Sequence, residues 1–130
     1  MYEVSVEAGF AAAHQLRNYR GKCENLHGHN YKVQVTVEGE ELNHIGLLAD
    51  FTELKAALRE ITEFLDHKFL NELEPFTEIN PSAENVAWYI CDRLQKSLDS
   101  GSSEVAIQIG AVKVWETDTS TATYRPRARR

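Results

Sequence analysis

Five histidines and two cysteines occur in 130 residues, and it is the spacing of three of the histidines that suggests chemistry. His27 and His29 stand two apart, and in an extended strand alternate residues point to the same face. The row they extend is Tyr31, Val33, Val35 and Val37, all apolar. His14 extends another apolar row in the same way, made of Tyr2, Val4, Val6, Ala8, Phe10 and Ala12. Two such strands side by side would bring three imidazoles together on a buried face. Three neutral imidazole nitrogens with a fourth position left open form the ligand set of catalytic zinc, whereas structural zinc takes four protein ligands, often several of them cysteine. The expectation is one zinc ion held by His14, His27 and His29, with Gly28 leaving room for close approach. A set of ordinary half-buried histidines is the alternative. His44 falls in a turn-rich stretch and is assigned no role.

Three further positions could move protons or hold a ligand. Cys23 lies in a loop with Arg20 and Lys22, where cations and a metal would favour the thiolate as base or nucleophile. It is also the nearest residue able to complete a four-ligand metal site. Asp66 beside His67 could orient an imidazole as a proton relay, provided the helix ends there, because adjacent helical side chains do not face each other. A histidine at a helix C-terminus is otherwise a partner of the helix dipole. Glu116 continues the inward row Val112–Val114, where a carboxylate needs a partner. That partner is either an internal cation or a ligand edge with adjacent N–H donors, such as the amino-pyrimidinone edge of a pterin or guanine. Cys91, next to Ile90 on a helical stripe, reads as core filling.

These residues need strands and helices to place them. The first strand ends near His14, and a loop covers residues 15–26 before the second. Gly39 opens a turn-rich connection. Asp50, with Glu53 three positions on, predicts a capped helix start with a reciprocal capping box. Phe51, Leu54, Leu58, Ile61 and Leu65 then recur at helical spacing. Ser82 predicts the N-cap of a second helix bearing Val86, Ile90, Leu94 and Leu98, with Gly101 past its end. Strand character returns at Val105, Ile107 and Ile109, and the apolar phase flips beyond Gly110 to Val112 and Val114, which predicts a bulge or bend. Residues 121–124 form a short last strand. Two strand pairs flanking two helices give an α+β fold: a four-stranded antiparallel sheet covered on one face.

Composition bounds the rest. The length suits a single domain, residues 1–130, with 42% hydrophobic and 26% charged residues. Fourteen basic against 20 acidic residues give a net charge of −6, which disfavours a general nucleic-acid binder. The basic ending, residues 125–130, reads as a frayed, solvated tail. No apolar run reaches the ~18 residues that span a bilayer, and the first residues alternate like a strand rather than a signal peptide. The cysteines form no disulfide pattern, so a cytoplasmic setting is expected.

Taken in order, Cys23-Glu24-Asn25-Leu26-His27-Gly28-His29-Asn30-Tyr31, Leu65-Asp66-His67, Asn80-Pro81-Ser82-Ala83-Glu84-Asn85 and Val114-Trp115-Glu116-Thr117 resemble the 6-pyruvoyl-tetrahydropterin synthase family. The resemblance spans residues 4–124. The three residues between Cys23 and His27 resemble its bacterial branch, 6-carboxy-tetrahydropterin synthase, which serves queuosine biosynthesis. Cys23 sets the chain apart from a third branch that carries Glu there. The resemblance implies the tunnelling fold, in which trimers close their sheets into a barrel and two trimers stack as a hexamer. It implies zinc on the three histidines, Cys23 as base, Asp66 and His67 as relay, Glu116 as pterin anchor and Ser82, where relatives often have Thr, as a ligand contact. The substrate implied is 7,8-dihydroneopterin triphosphate, converted to 6-carboxy-5,6,7,8-tetrahydropterin with release of acetaldehyde and triphosphate. Two alternatives stand: a 6-pyruvoyl-forming synthase that leaves the side chain uncut, and a non-catalytic zinc module closed by Cys23.

Overall fold

The computed structural model describes residues 1–127; residues 128–130, half of the basic tail, lie outside the described residues. Two long strands form the frame: β1 (Tyr2–His14) and β2 (His27–Gly39), thirteen residues each. They pair antiparallel along their whole length, from Tyr2↔Gly39 to His14↔His27. Two 13-residue alternating patterns can pair in this register with Val6, Phe10 and Ala12 on the same face as Tyr31, Val33, Val35 and Val37, all buried. A slip of one residue would turn every one of those side chains to the other face.

Helix α1 (Phe51–Leu65) starts at Asp50, whose side chain accepts from the Thr52 N–H rather than from Glu53, so the cap is of the simple kind and not the reciprocal box. Its inward stripe is Leu54, Leu58, Thr62 and Leu65. The expected stripe is therefore rotated: Phe51 is 50% exposed and Thr62 takes a core position, because a 3.6-residue period brings position 62 under position 58. Helix α2 (Ala83–Ser100) starts at Ser82, whose hydroxyl accepts from the Asn85 N–H, as its sequence predicts. Val86, Ile90, Cys91 and Leu94 are buried against the sheet.

The sheet has five strands, not four. Between the helices lies a two-residue strand, β3 (Lys68–Phe69), parallel to β1 at Ala12 and Ala13, too short to show any periodicity in sequence. Strands β4 (Gln108–Thr117) and β5 (Ser120–Tyr124) form a hairpin on the other side, giving the order β3-β1-β2-β4-β5. Strand β4 begins at Gln108 rather than Val105, because its partner β2 ends at Gly39 and Glu38↔Gln108 is the last pair. Gly39 is required at that corner: a Cβ there would lie 2.7 Å from the Ala106 carbonyl oxygen. The expected irregularity at Gly110 is present as a register shift, with Thr36↔Ala111 followed by Val37↔Ile109, leaving Gly110 as the extra residue.

One row from each long strand and the inner faces of both helices make a single core, with the helices on one face of the sheet. The other face carries Ser5–Thr36 and Gln34–Glu7 hydrogen bonds and the Lys32 and Lys113 ammonium groups against the Trp115 ring. No helix among the described residues is long and apolar enough to cross a membrane.

The rotated stripe predicts unequal costs. Leu58→Ala removes a fully buried side chain and should destabilise by about 2–5 kcal/mol, whereas Phe51→Ala should cost about 0.5 kcal/mol or less. Chemical denaturation of both variants checks this, and equal losses would contradict the packing described.

Candidate metal centre and the groove beside it

The register of β1 and β2 assembles the histidines. His14 pairs with His27 and Ala12 with His29, so three imidazoles project from adjacent positions on the helix-covered face. Ring centroids lie 4.6 Å (His14–His27), 4.9 Å (His14–His29) and 4.8 Å (His27–His29) apart, each pair steeply inclined. The Nε2 of His14 is 3.0 Å from that of His27 and 3.1 Å from that of His29. His14 is 1% exposed, and the other two are half-buried.

The outward nitrogens settle the tautomers. His14 Nδ1 lies 2.7 Å from the Pro81 carbonyl oxygen, a separation only an Nδ1–H donor accommodates; the Tyr31 hydroxyl, at 3.2 Å, takes the weaker share. His27 Nδ1–H donates to the Asn25 carbonyl at 2.8 Å. With each Nδ1 turned to a carbonyl, the Nε2 atoms of His14 and His27 face each other at 3.0 Å and that of His29 lies 3.1 Å from His14. Three ring nitrogens converging in this way match the ligand set of a metal ion. Bonds of about 2.0–2.1 Å in a tetrahedral site place ligand nitrogens about 3.3 Å apart, within a few tenths of the distances seen. Among the described residues, His14, His27 and His29 are the group whose ligand atoms could hold a metal ion.

Burial holds His29 below the ordinary histidine range; Glu116 opposes this, the two neighbouring histidines add to it, and Glu24 opposes it weakly. Burial, with Glu116 and Glu24, pushes the Tyr31 hydroxyl far up, so it stays protonated. Glu116 is half-buried, with one oxygen 3.4 Å from His29 Nε2. Among the described residues it pairs with no lysine or arginine. Its inward placement agrees with its strand phase, and among the described residues no lysine or arginine supplies the internal salt bridge of the alternative reading.

Asp66 and His67 are joined by the helix ending, as the sequence required. α1 stops at Leu65, Asp66 is extended and His67 takes φ 56°, a left-handed conformation uncommon for a residue with a side chain. The edge of β1 holds it there: the Ala11 N–H donates to Asp66 Oδ1 at 2.8 Å, and the His67 N–H donates to the Ala11 carbonyl at 2.6 Å. His67 Nδ1–H then donates to Asp66 Oδ2 at 2.7 Å. These hydrogen bonds, the Ala11 N–H first, hold the Asp66 carboxyl below the ordinary aspartate range. The imidazole is 83% exposed, with its Nε2 left free to accept. His67 and His29 border one open groove of about 560 Å³, floored by residues 11–13 and Gly28.

Cys23 is exposed in the loop between β1 and β2 and lies outside both the histidine group and this groove. The Ser82 hydroxyl accepts from the Asn85 N–H at the α2 cap and retains one donor and a second lone pair. His44 pairs with Glu104 at 2.7 Å on an exposed loop. The sequence reading missed the acceptors that set the tautomers, the carbonyls of Pro81 and Asn25. The second is two residues from its histidine and was findable; the first is 67 residues from His14 and carries no sequence signal.

Comparison with known proteins gives the same direction throughout. Residues 3–127 match a sequence model of the family described as 6-pyruvoyl tetrahydropterin synthase. The chain is 39% identical to the 6-pyruvoyl tetrahydrobiopterin synthase of Homo sapiens, over 95% of this chain and 90% of that protein. It is 36% identical to the 6-carboxy-5,6,7,8-tetrahydropterin synthase of Bacillus subtilis, over 97% of this chain and 86% of that one. The fold superposes on the 6-pyruvoyl tetrahydropterin synthase of Caenorhabditis elegans with a TM-score of 0.77 at 31% identity, covering 98% of both chains. The tunnelling fold is thereby matched, and the chain belongs to the 6-pyruvoyl tetrahydropterin synthase family.

Proposed function

We propose that this chain is a zinc-dependent lyase that converts 7,8-dihydroneopterin triphosphate and water to 6-carboxy-5,6,7,8-tetrahydropterin, acetaldehyde and triphosphate, in the cytoplasm and in the service of queuosine biosynthesis. The observation that carries the metal part is the convergence of three imidazole nitrogens, with His14 Nε2 3.0 Å from that of His27 and 3.1 Å from that of His29. Zinc held by His14, His27 and His29 would act as a Lewis acid on the substrate's side-chain oxygens, making the neighbouring C–H more acidic. Cys23 takes that proton as thiolate, and His67, oriented by Asp66, moves protons through its free Nε2. Glu116 accepts from the paired N–H donors of the pterin edge, and the Ser82 hydroxyl hydrogen remains available to a ligand. The 6-carboxy route is favoured by the spacing of Cys23 and His27 and by relatives of that name in Bacillus subtilis. The 6-pyruvoyl route is the second reading, favoured by the human relative at 39% identity.

Assembly is part of the same proposal. Strand β1 is paired with β3 only at Ala12 and Ala13, so most of its outer edge has no strand beside it among the described residues. Open edges of that length invite pairing. A hexamer of two stacked trimers would cover them and let Cys23 of one subunit complete a groove bearing His67 of another.

The purified protein incubated with 7,8-dihydroneopterin triphosphate should yield 6-carboxytetrahydropterin and acetaldehyde by mass spectrometry, and chelation followed by zinc addition should abolish and restore turnover. His27→Ala should lose both metal and activity; a variant still holding one zinc per chain would contradict the ligand assignment. A product carrying the intact pyruvoyl side chain would select the second reading.

Cys23→Ala should keep zinc and lose turnover, since only proton transfer is removed. Metal loss in that variant would instead mark Cys23 as a fourth ligand of a closed site. Glu116→Gln should raise the pterin Kd by about 1–3 kcal/mol equivalent while leaving the melting temperature nearly unchanged. The reverse ranking would mean that the carboxylate is structural.

Subunit sharing is tested by mixing. Cys23→Ala and His67→Ala proteins, each inactive, should regain about a quarter of wild-type activity when unfolded and reassembled together, if subunits associate at random around closed symmetry. Mixtures that stay inactive would place both residues in one site of a single chain.

A further inference from the structure

The stretch that follows His14 is held by two asparagine side chains in the same way. Asn71 Oδ1 accepts from the Gln15 N–H at 3.0 Å, and its Nδ2 donates to the Gln15 carbonyl at 2.7 Å. Asn80 Oδ1 accepts from the Arg17 N–H at 2.8 Å, and its Nδ2 donates to the Arg17 carbonyl at 2.9 Å. Each amide pairs with one residue's backbone as a neighbouring strand would. They differ in their relation to the acceptor of His14. Asn80 immediately precedes Pro81, whose carbonyl receives the His14 Nδ1–H, whereas Asn71 is remote from that acceptor in sequence.

Pro81 has no N–H, so its peptide cannot be anchored by its own donor. Its position is set from either side. Ser82 begins α2 after it, and Asn80 ties the chain before it to Arg17, with Asn85 Nδ2 donating to the Asn80 carbonyl at 2.8 Å. A closed circuit results: His14 runs on to Arg17, Arg17 is clamped by Asn80, and Pro81 returns to the His14 ring. Fixing both ends of that circuit fixes where the Pro81 oxygen sits, and with it the tautomer and direction of the His14 imidazole.

We propose that Asn80 is a positioning residue for the metal ligand His14, acting through the Pro81 carbonyl; this rests on the metal reading above and names a determinant of that site. Partners that orient a ligating imidazole typically change metal affinity by about 10–100-fold when lost. Zinc affinity would be measured by competition with a chromophoric chelator, with folding checked by circular dichroism, and the His14 Nδ1–H followed by nitrogen-resolved NMR of the zinc-loaded protein. Asn80→Ala should weaken zinc by that factor and lose the slowly exchanging His14 Nδ1–H while the His27 signal persists. Asn71→Ala removes an equal clamp and should leave zinc affinity within about threefold of wild type, well below that range. Should Asn80→Ala not fold, Asn80→Asp keeps the acceptor for the Arg17 N–H, loses the donor, and should show the same loss of the Nδ1–H signal with a smaller loss of affinity. Wild-type zinc affinity and an intact His14 signal in the folded Asn80 variant would overturn this inference alone, as would an equal fall in both asparagine variants. A wild-type protein that binds no zinc would overturn the metal reading and this inference with it.

Discussion

The pairing of β1 with β2 is the constraint from which the rest follows. It runs the full thirteen residues of both strands, and it ends at His14↔His27. Strand period and register together decide which face each side chain takes, so the pairing that buries Val6, Phe10, Val33 and Val35 also carries His14, His27 and His29 to the same end of the same face. The apolar core and the polar site are therefore specified by one alignment. A slip that spoiled the site would expose the core, so the large free energy of apolar burial also holds the histidine cluster in place.

Around that frame, neighbouring elements supply what the histidines lack. The turn before α2 brings a carbonyl acceptor to His14, and the loop before β2 brings one to His27. Strand β4 brings Glu116 beside His29. The end of α1 is bound to the edge of β1 at Ala11, which holds His67 in a left-handed conformation that its neighbours must stabilise. Of the positive-φ residues, His67 borders the groove, and the sheet has two register shifts, one at Gly110 and one between Trp115 and Thr117, where Glu116 lies.

The two proton-handling candidates sit in contrasting settings. His67 is oriented by a charged partner yet remains exposed, so its imidazole can exchange protons with a ligand in the groove. Cys23 lies on an exposed loop apart from that groove within one chain. Among the described residues the groove beside His67 is open, and in the shared-subunit arrangement proposed it would exclude water only when the subunits meet.

Alternation and helical spacing by themselves determined the two long strands, the two helices with Asp50 and Ser82 as caps, the irregularity at Gly110, and the in-phase placement of the three histidines and Glu116. These are local properties, set by a period of two or 3.6 residues and by side chains that bond to the backbone nearby. Tertiary structure alone decided what depends on distant partners. The β3 strand exists only because two residues happen to lie along β1. Strand β4 starts at Gln108 because β2 turns away at Gly39, and the α1 stripe rotates onto Thr62 because packing, not hydrophobicity, chooses the buried face. The His14 tautomer is fixed by a carbonyl 67 residues away, and the clamp that places that carbonyl joins residues 63 apart. Hydrogen bonds of that span leave no periodicity in a sequence, since either partner is an ordinary residue until the fold brings the two together.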